Sequence, residues 1–274
     1  MLEPDAPRPE EPHSFRIPLE IAEIYEERFV PALFADWAPA VADVADLLPG
    51  QHVLDVACGT GILTRVAADR VGDRGQVVGL DLNEAMLTVA ARVRPDLPWR
   101  QGDAMALPFD DAVFDGVVCQ MALMFFPDRL RALREMTRVV RPGGIVTVMV
   151  PARLDDQPAW GPFVDVASRQ VGAAAISLLG TYWAAGDLAM LTQLVSDAGL
   201  QLIAAVTRQG TARFDSIDQM VTTEVESTPL VTMLTPEMYL RLRTDSREAL
   251  RSFITPDGRA ELPLVGHIVA ARRP

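Results

Sequence analysis

The stretch VLDVACGTGILTRVA, Val53 to Ala67, runs from a buried strand into a helix across Ala57-Cys58-Gly59-Thr60-Gly61. Val53, Leu54 and Val56 are strand formers around a single acid, Asp55, and helical periodicity begins at Ile62. Bare backbone at such a joint lets a ligand rest on the main chain, and glycine tolerates dihedrals that other residues resist. A tight turn with close helix packing would need the same residues. In a doubly wound sheet, ligands bind at the carboxyl ends of the strands, where strand order reverses.

From Gln51 onward, apolar strands alternate with helices. HVLDVA is followed by a helix over about 62–71, QVVGLDL by one over about 84–93, LPWRQGDA forms a short strand, and AVFDGVVCQ leads to a helix over 129–140. An Arg141-Pro142-Gly143 turn then opens the strand GGIVTVMVPA. Strands apolar on both faces and separated by helices imply a parallel sheet covered on both sides. Upstream, helical periodicity covers 19–29 and 32–47. After Pro151 the spacing predicts helices over 159–171, 187–198, 216–226 and 236–251, with LQLIAAVTRQ and ELPLVGHIVAARR as further strands. The reading is one domain, 17–274, with helical insertions at about 155–186 and 214–251. Residues 1–16, with four prolines and no apolar run, read as a disordered tail rather than a secretory signal.

The 274 residues carry 25 bases, all arginine, against 37 acids, a net charge of −12. That balance opposes nucleic acid and anionic membranes, whose binding rests on Coulomb attraction. No uncharged run reaches the length of a membrane span, so a soluble, cytoplasmic protein is expected. The two cysteines, Cys58 and Cys119, make no disulfide framework, and no His/Cys grouping has metal-ligand spacing.

Two further acids close successive strands. Asp81 ends VVGLDL, where a carboxylate can accept both hydroxyls of a ribose. Asp103 ends WRQGDA, where it can accept from an adenine amino group. Either acid alone could be a helix cap; three successive strand exits carrying a small-residue loop and two acids point instead to a nucleoside. The dinucleotide fingerprint needs a third glycine, but that position is Ile62 or Thr64, depending on alignment. Asp55, inside the first strand, would repel phosphate and suits an ammonium or sulfonium. The ligand expected is a positively charged nucleoside.

VLDVACGTG, VVGLDLN, QGDAMALPF, FDGVVCQMALMFFPD and RPGG, in this order, resemble the class I S-adenosylmethionine-dependent methyltransferases, nearest the branch of ubiquinone and menaquinone biosynthesis. The resemblance covers about 25–151. It implies a Rossmann-like seven-stranded α/β sheet with the last strand antiparallel, and S-adenosyl-L-methionine as cofactor. It places Asp55 and the Ala57, Cys58, Gly59 and Gly61 loop near the methionine end, Asp81 on the ribose, and Asp103 with Ala104 at the adenine, with Leu82, Met86 and Gly102 as further cofactor contacts. Where this chain has Ala57 the family usually has glycine, one methyl group less of clearance.

Methyl transfer from a sulfonium needs alignment and exclusion of water more than acid–base chemistry, so no catalytic residue stands out. Gln120, ending the fourth strand, is the candidate for orienting an acceptor or the cofactor. Tyr25 falls where the resembling family lays an N-terminal helix over the cofactor, with Phe34 and Trp37 as further lid candidates and Glu23, Glu26 and Glu27 as a solvated face. His52 reads as a surface residue, His267 as structural, and His13 lies in the tail. Trp160, Phe163, Tyr182, Trp183, Met220, Met233 and Tyr239, in the insertions, suit a small apolar acceptor. The expected reaction is methylation of an oxygen or carbon of such a metabolite. A non-methylating rearrangement or elimination on the same cofactor, or a nucleoside-binding regulatory subunit, remains an alternative; a homodimer is left open.

Overall fold

The computed structural model describes residues 17–226 and 229–274. The 1–16 stretch, read above as a tail and including His13, lies outside the described residues. Strands β1 (His52–Val56), β2 (Gln76–Asp81), β3 (Trp99–Gln101), β4 (Phe114–Gln120), β5 (Val140–Pro151), β6 (Gln201–Phe214) and β7 (Ala260–Arg272) form one sheet in the order β3-β2-β1-β4-β5-β7-β6. β1 pairs in parallel with both β2 and β4, so strand order reverses between them. β7 runs antiparallel to both its neighbours, β5 and β6. The doubly wound sheet with an antiparallel last strand is thus as the resemblance implied.

The strands are buried because they carry apolar side chains toward both faces: Leu54, Val56 and Val117 pack into one layer, Val53, Val118 and Met149 into the other. Helices α3 (Ile62–Val71), α4 (Glu84–Val93) and α5 (Arg129–Val139) connect the first strands. α4 and α5 start at Asn83 and Asp128, whose side chains accept the N–H of Ala85 and Arg131. Among the described residues no helix is long and apolar enough to cross a membrane.

Several expected boundaries moved. The N-terminal helices do not break near 30: α1 (Leu19–Ile24) runs on as a π-helix, Tyr25–Phe34, and only then gives way to α2 (Ala38–Val44). Pro31 lies inside that π-helix and is absorbed by the wider turn. The Arg141–Gly143 turn is not a separate helix exit. β5 already starts at Val140, the strand register shifts beside it, and Gly143 N–H bonds the Arg273 carbonyl at 2.7 Å. The C-terminus thus pairs with a segment that locally reads as loop. After β5 come α6 (Trp160–Val171), the unexpected α7 (Ala173–Gly180), α8 (Leu188–Asp197), α9 (Ile217–Glu226) and α10 (Pro236–Ala249). β6 runs longer than LQLIAAVTRQ because β7 pairs with it as far as Phe214.

Candidate active site

The exits of β1, β2, β3 and β4 lie side by side. Ala57, leaving β1, has φ +56° and Met121, leaving β4, has φ +51°, both left-handed conformations carried by side chains that disfavour them. Strain of this kind collects at functional sites. It also recasts the Ala57 departure: the position calls for a positive φ, which is what glycine would supply, so alanine adds backbone strain as well as bulk.

The two glycines of the loop do different things. Gly59, φ +56°, faces the Tyr25 ring, and a β-carbon there would sit 3.6 Å from it. Gly61, φ +89°, is pressed on Trp99, whose ring a β-carbon would overlap. Trp99 also abuts Gly79, and its indole N–H donates to the Arg94 carbonyl at 2.9 Å. Gly61 therefore serves packing, and Gly59 is the one open to the lid side. Gly102 is similarly accounted for: a β-carbon would meet Leu80 at 2.8 Å and Pro108 at 3.1 Å. Packing against these two residues is enough to require a glycine there.

Asp81 Oδ2 accepts the Gly59 N–H and Oδ1 the Asn83 N–H, each at 2.8 Å. Burial raises its pKa, opposed by those backbone hydrogen bonds. Asp55 is 1% exposed and accepts the Thr64 hydroxyl at 2.6 Å. Burial pushes it up to about 7, with the Thr64 hydrogen bond working the other way and the Asp81 charge adding to the rise. Thr64 was missed in the sequence, although it lies one turn into α3 on the side facing β1. Asp103 accepts the Met105 N–H at 2.8 Å, in the capping manner, with Ala104 buried beside it. Leu82 is 53% exposed at the β2 exit, an apolar face beside Asp81, and Met86 is half-buried on α4.

The electrostatics decide what could rest here. The N–H groups of Cys58, Gly59 and Gly61, which a phosphate site would present, bond Leu80 O, Asp81 Oδ2 and Cys58 O. Among the described residues, neither Asp55 nor Asp81 is paired with an arginine. A buried carboxylate, Asp55, and a half-buried one, Asp81, under an uncharged loop disfavour an anion and favour a cation. The donor set fits an adenosyl sulfonium. Cys58 supplies backbone, and its buried thiol is raised in pKa mainly by burial.

Over the loop lies the π-helix. Tyr25 stacks between Phe29 and Phe34, at 5.8 and 5.1 Å between centroids, and burial raises its hydroxyl's pKa. Gln120 Nε2 donates to the Phe34 carbonyl at 3.1 Å, while its Oε1 is buried without a hydrogen-bond partner. Gln120 thus ties the lid to the sheet and leaves one acceptor unpaired. Glu26 is not on a solvated face: it pairs with Arg65 at 2.9 Å, and Arg65 also donates to the Thr60 carbonyl at 2.8 Å. Glu23 pairs with Arg92 at the surface. Trp37 is no lid residue but fully buried against Gly210 and Gly266, because those glycines leave room for its ring.

His52 is half-buried, its ring 4.6 Å from Phe114, rather than a plain surface residue. His267 is structural, as expected: Nδ1 meets the Thr207 hydroxyl at 2.9 Å and Nε2 the Gly186 carbonyl at 3.2 Å, and burial lowers its pKa. Of the insertion residues, Trp160, Phe163 and Met220 are buried in the core, Tyr239 bonds Thr222, and Met233 is exposed. Tyr182 packs edge-on to Phe125 at 5.6 Å, near the β4 exit. A cleft of about 650 Å³ opens between the lid helix and the β6–α9 turn, lined by Glu27, Arg28, Pro31, Arg213, Phe214 and Gln219 among others. Among the described residues no His, Cys, Asp and Glu cluster could hold a metal.

A family profile described as a methyltransferase domain matches residues 54–148, from within β1 to within β5. Over that segment the chain is similar to a methyltransferase domain. A demethylmenaquinone methyltransferase of Bacillus cereus is 44% identical over 115 residues, 40% of this chain and 48% of that protein. The chain thus spans about half the length of the curated relatives it matches. A methyltransferase structure from Bacillus halodurans shares the fold at TM-score 0.57 and 21% identity, over 86% of this chain and 98% of that one. A phosphoethanolamine N-methyltransferase from Haemonchus contortus, solved with S-adenosylhomocysteine, does so at TM-score 0.57 and 19% identity, over 92% of this chain and 57% of that one. Domains of this class use S-adenosyl-L-methionine, in keeping with a site built of carboxylates and bare backbone.

Proposed function

We propose that this protein transfers a methyl group from S-adenosyl-L-methionine to an oxygen or carbon of a small, apolar metabolite. The observation that carries the reading is the pair of acids, buried Asp55 and half-buried Asp81, beneath a loop whose Cys58, Gly59 and Gly61 N–H groups are already bonded. When bound, the cofactor supplies an already activated methyl group. The chain's residues then have to hold, align and dry the site. Asp81 would accept from the ribose hydroxyls beside Leu82, and Asp103 with Ala104 would face the base. Tyr25 and Phe34 would cover the loop and exclude water. The unpaired Gln120 Oε1 is free to accept from an acceptor hydroxyl.

The acceptor would come in through the post-β5 segments, which lie beyond the region matched by the family profile. Tyr182 with Phe125, at the β4 exit, offers it an aromatic wall, and a solution-side acceptor suits a chain of net charge −12 in a soluble, cytoplasmic setting. The relatives' name makes demethylmenaquinone the first compound to try. The test is incubation of the protein with methyl-labelled cofactor and that quinone, then with cell extract, followed by mass spectrometry. A product heavier by one methyl, with S-adenosylhomocysteine released, supports the reading. A product of unchanged mass would mean that the bound cofactor serves another reaction.

A further inference from the structure

β6 is the end strand of the sheet, and along residues 201–209 its outer edge is open. Leu202, Ile203 and Val206 are 44%, 48% and 40% exposed there. An edge strand presents a row of unpaired N–H and C=O groups, which proteins normally blunt with charge, proline, a bulge or a covering element. The segment QLIAAVTRQ has no acid, no proline and a single arginine. A register shift between Leu202 and Ala204 marks one end.

The other end is capped from within the molecule. Thr211 N–H donates to the Asp36 carboxylate at 3.3 Å, and the Arg208 guanidinium donates to the Asp36 carbonyl at 2.9 Å. Thr211 therefore points its backbone groups away from β7. In an antiparallel ladder this direction alternates residue by residue, and the pairing with β7 is regular from Ala204 to Phe214. Gln209, Thr207 and Ala205 hence turn their N–H and C=O groups outward as well.

We propose that this edge pairs, antiparallel, with the same edge of a second copy of the chain, about a two-fold axis passing beside Ala205. In that register Ala204 faces Val206, Ile203 faces Thr207, and the two Arg208 side chains lie at opposite ends of the ladder. No like charges are opposed, which a cross-strand pairing requires. A chain of net charge −12 resists self-association over most of its surface, and this acid-free strip is where two copies meet with least repulsion. A strand of another protein gains no charge complementarity from a strip with one arginine. The contact is isologous and closes as a dimer. It lies at the far end of the sheet from β1, β2 and β3, leaving the cofactor crevice free. A single ladder of nine residues makes a small interface, at or below the low end of the stable range, so the dimer depends on concentration.

Sedimentation velocity across a concentration series tests this on the whole chain, the variants being Val206→Lys and Ala205→Pro. The expected result is a reversible dimer for the natural chain, weakened at least about tenfold in Val206→Lys by forcing like charges together, and absent in Ala205→Pro. Thermal melting and S-adenosylhomocysteine affinity should match the natural chain in Val206→Lys. Should Ala205→Pro fail to fold, Val206→Lys decides alone. A natural chain that stays monomeric throughout, or a dimer as tight in Val206→Lys, overturns the proposal.

Discussion

Asp81 joins the β1–α3 loop to the second strand: its carboxylate accepts the Gly59 and Asn83 N–H groups. Asp81→Ala removes a half-buried charged acceptor and should weaken S-adenosylhomocysteine binding by about 2–4 kcal/mol. Calorimetry on a variant that still melts cooperatively checks this; unchanged affinity would remove the ribose role. Asp55 makes a pH-dependent contribution. Its carboxyl is raised from 3.8 to about 7 by burial, so between those values the folded chain holds a proton that the unfolded chain has lost. Stability therefore falls as pH rises through this window, by at most about 1.4 kcal/mol per pH unit. Glu224, raised by burial to about 7, adds to the same fall. Asp55→Asn should flatten the decline and be the more stable form at pH 8, as measured by urea unfolding at several pH values. Asp81 and Asp103 were legible in the sequence because strand exits are marked by the switch from apolar run to small residues, and Asp55 because it is the single acid in an apolar strand. Thr64, Arg65 and Glu26 were not, since their partners lie on other elements.

At the scale of elements, the β1–α3 joint shows why a glycine loop has two readings. Gly59 is open toward Tyr25, whereas Gly61 is held by the Trp99 ring on β3. Gly61→Ala must overlap that ring and adopt φ near +89°, a cost on the order of 1–3 kcal/mol. Trp99→Ala leaves a cavity of its own, but Gly61→Ala in that background should lose the steric part of its cost. A double-mutant cycle on chemical unfolding reads the coupling as 0.5 kcal/mol or more, an order-of-magnitude expectation for residues in contact. Additive effects would show that the ring is not what demands a glycine. The sequence showed both glycines but not the tryptophan wedge, because Trp99 reaches Gly61 only through strand pairing across β2. The lid helix was likewise half legible. Its apolar periodicity was plain, but its π-turn continuity through Pro31 depends on packing over the loop.

For the molecule as a whole, β7 is the strand on which the C-terminal half depends. It lies between β5 and β6, so β6 has no sheet neighbour without it. Removing residues 259–274 should abolish cooperative unfolding followed by circular dichroism, since β6 would lose its entire ladder and the Leu262, Leu264 and Ile268 core contacts. A truncated chain that still melts as one transition would show that the β1–β5 half folds independently. The unit over 17–274 proposed from the sequence rests on the same point: the last segment of the chain closes a sheet begun by the first strand.

Local pattern alone determined the alternation of strands and helices, the crevice at the β1 exit and the acids that line it, because each depends on residues adjacent in the chain. Tertiary structure decided which glycine serves packing and which faces the lid, which groups the acids bond, and where β6 ends exposed. Those outcomes depend on neighbours brought together by sheet order, and sheet order is a property of long-range pairing that no window of sequence contains.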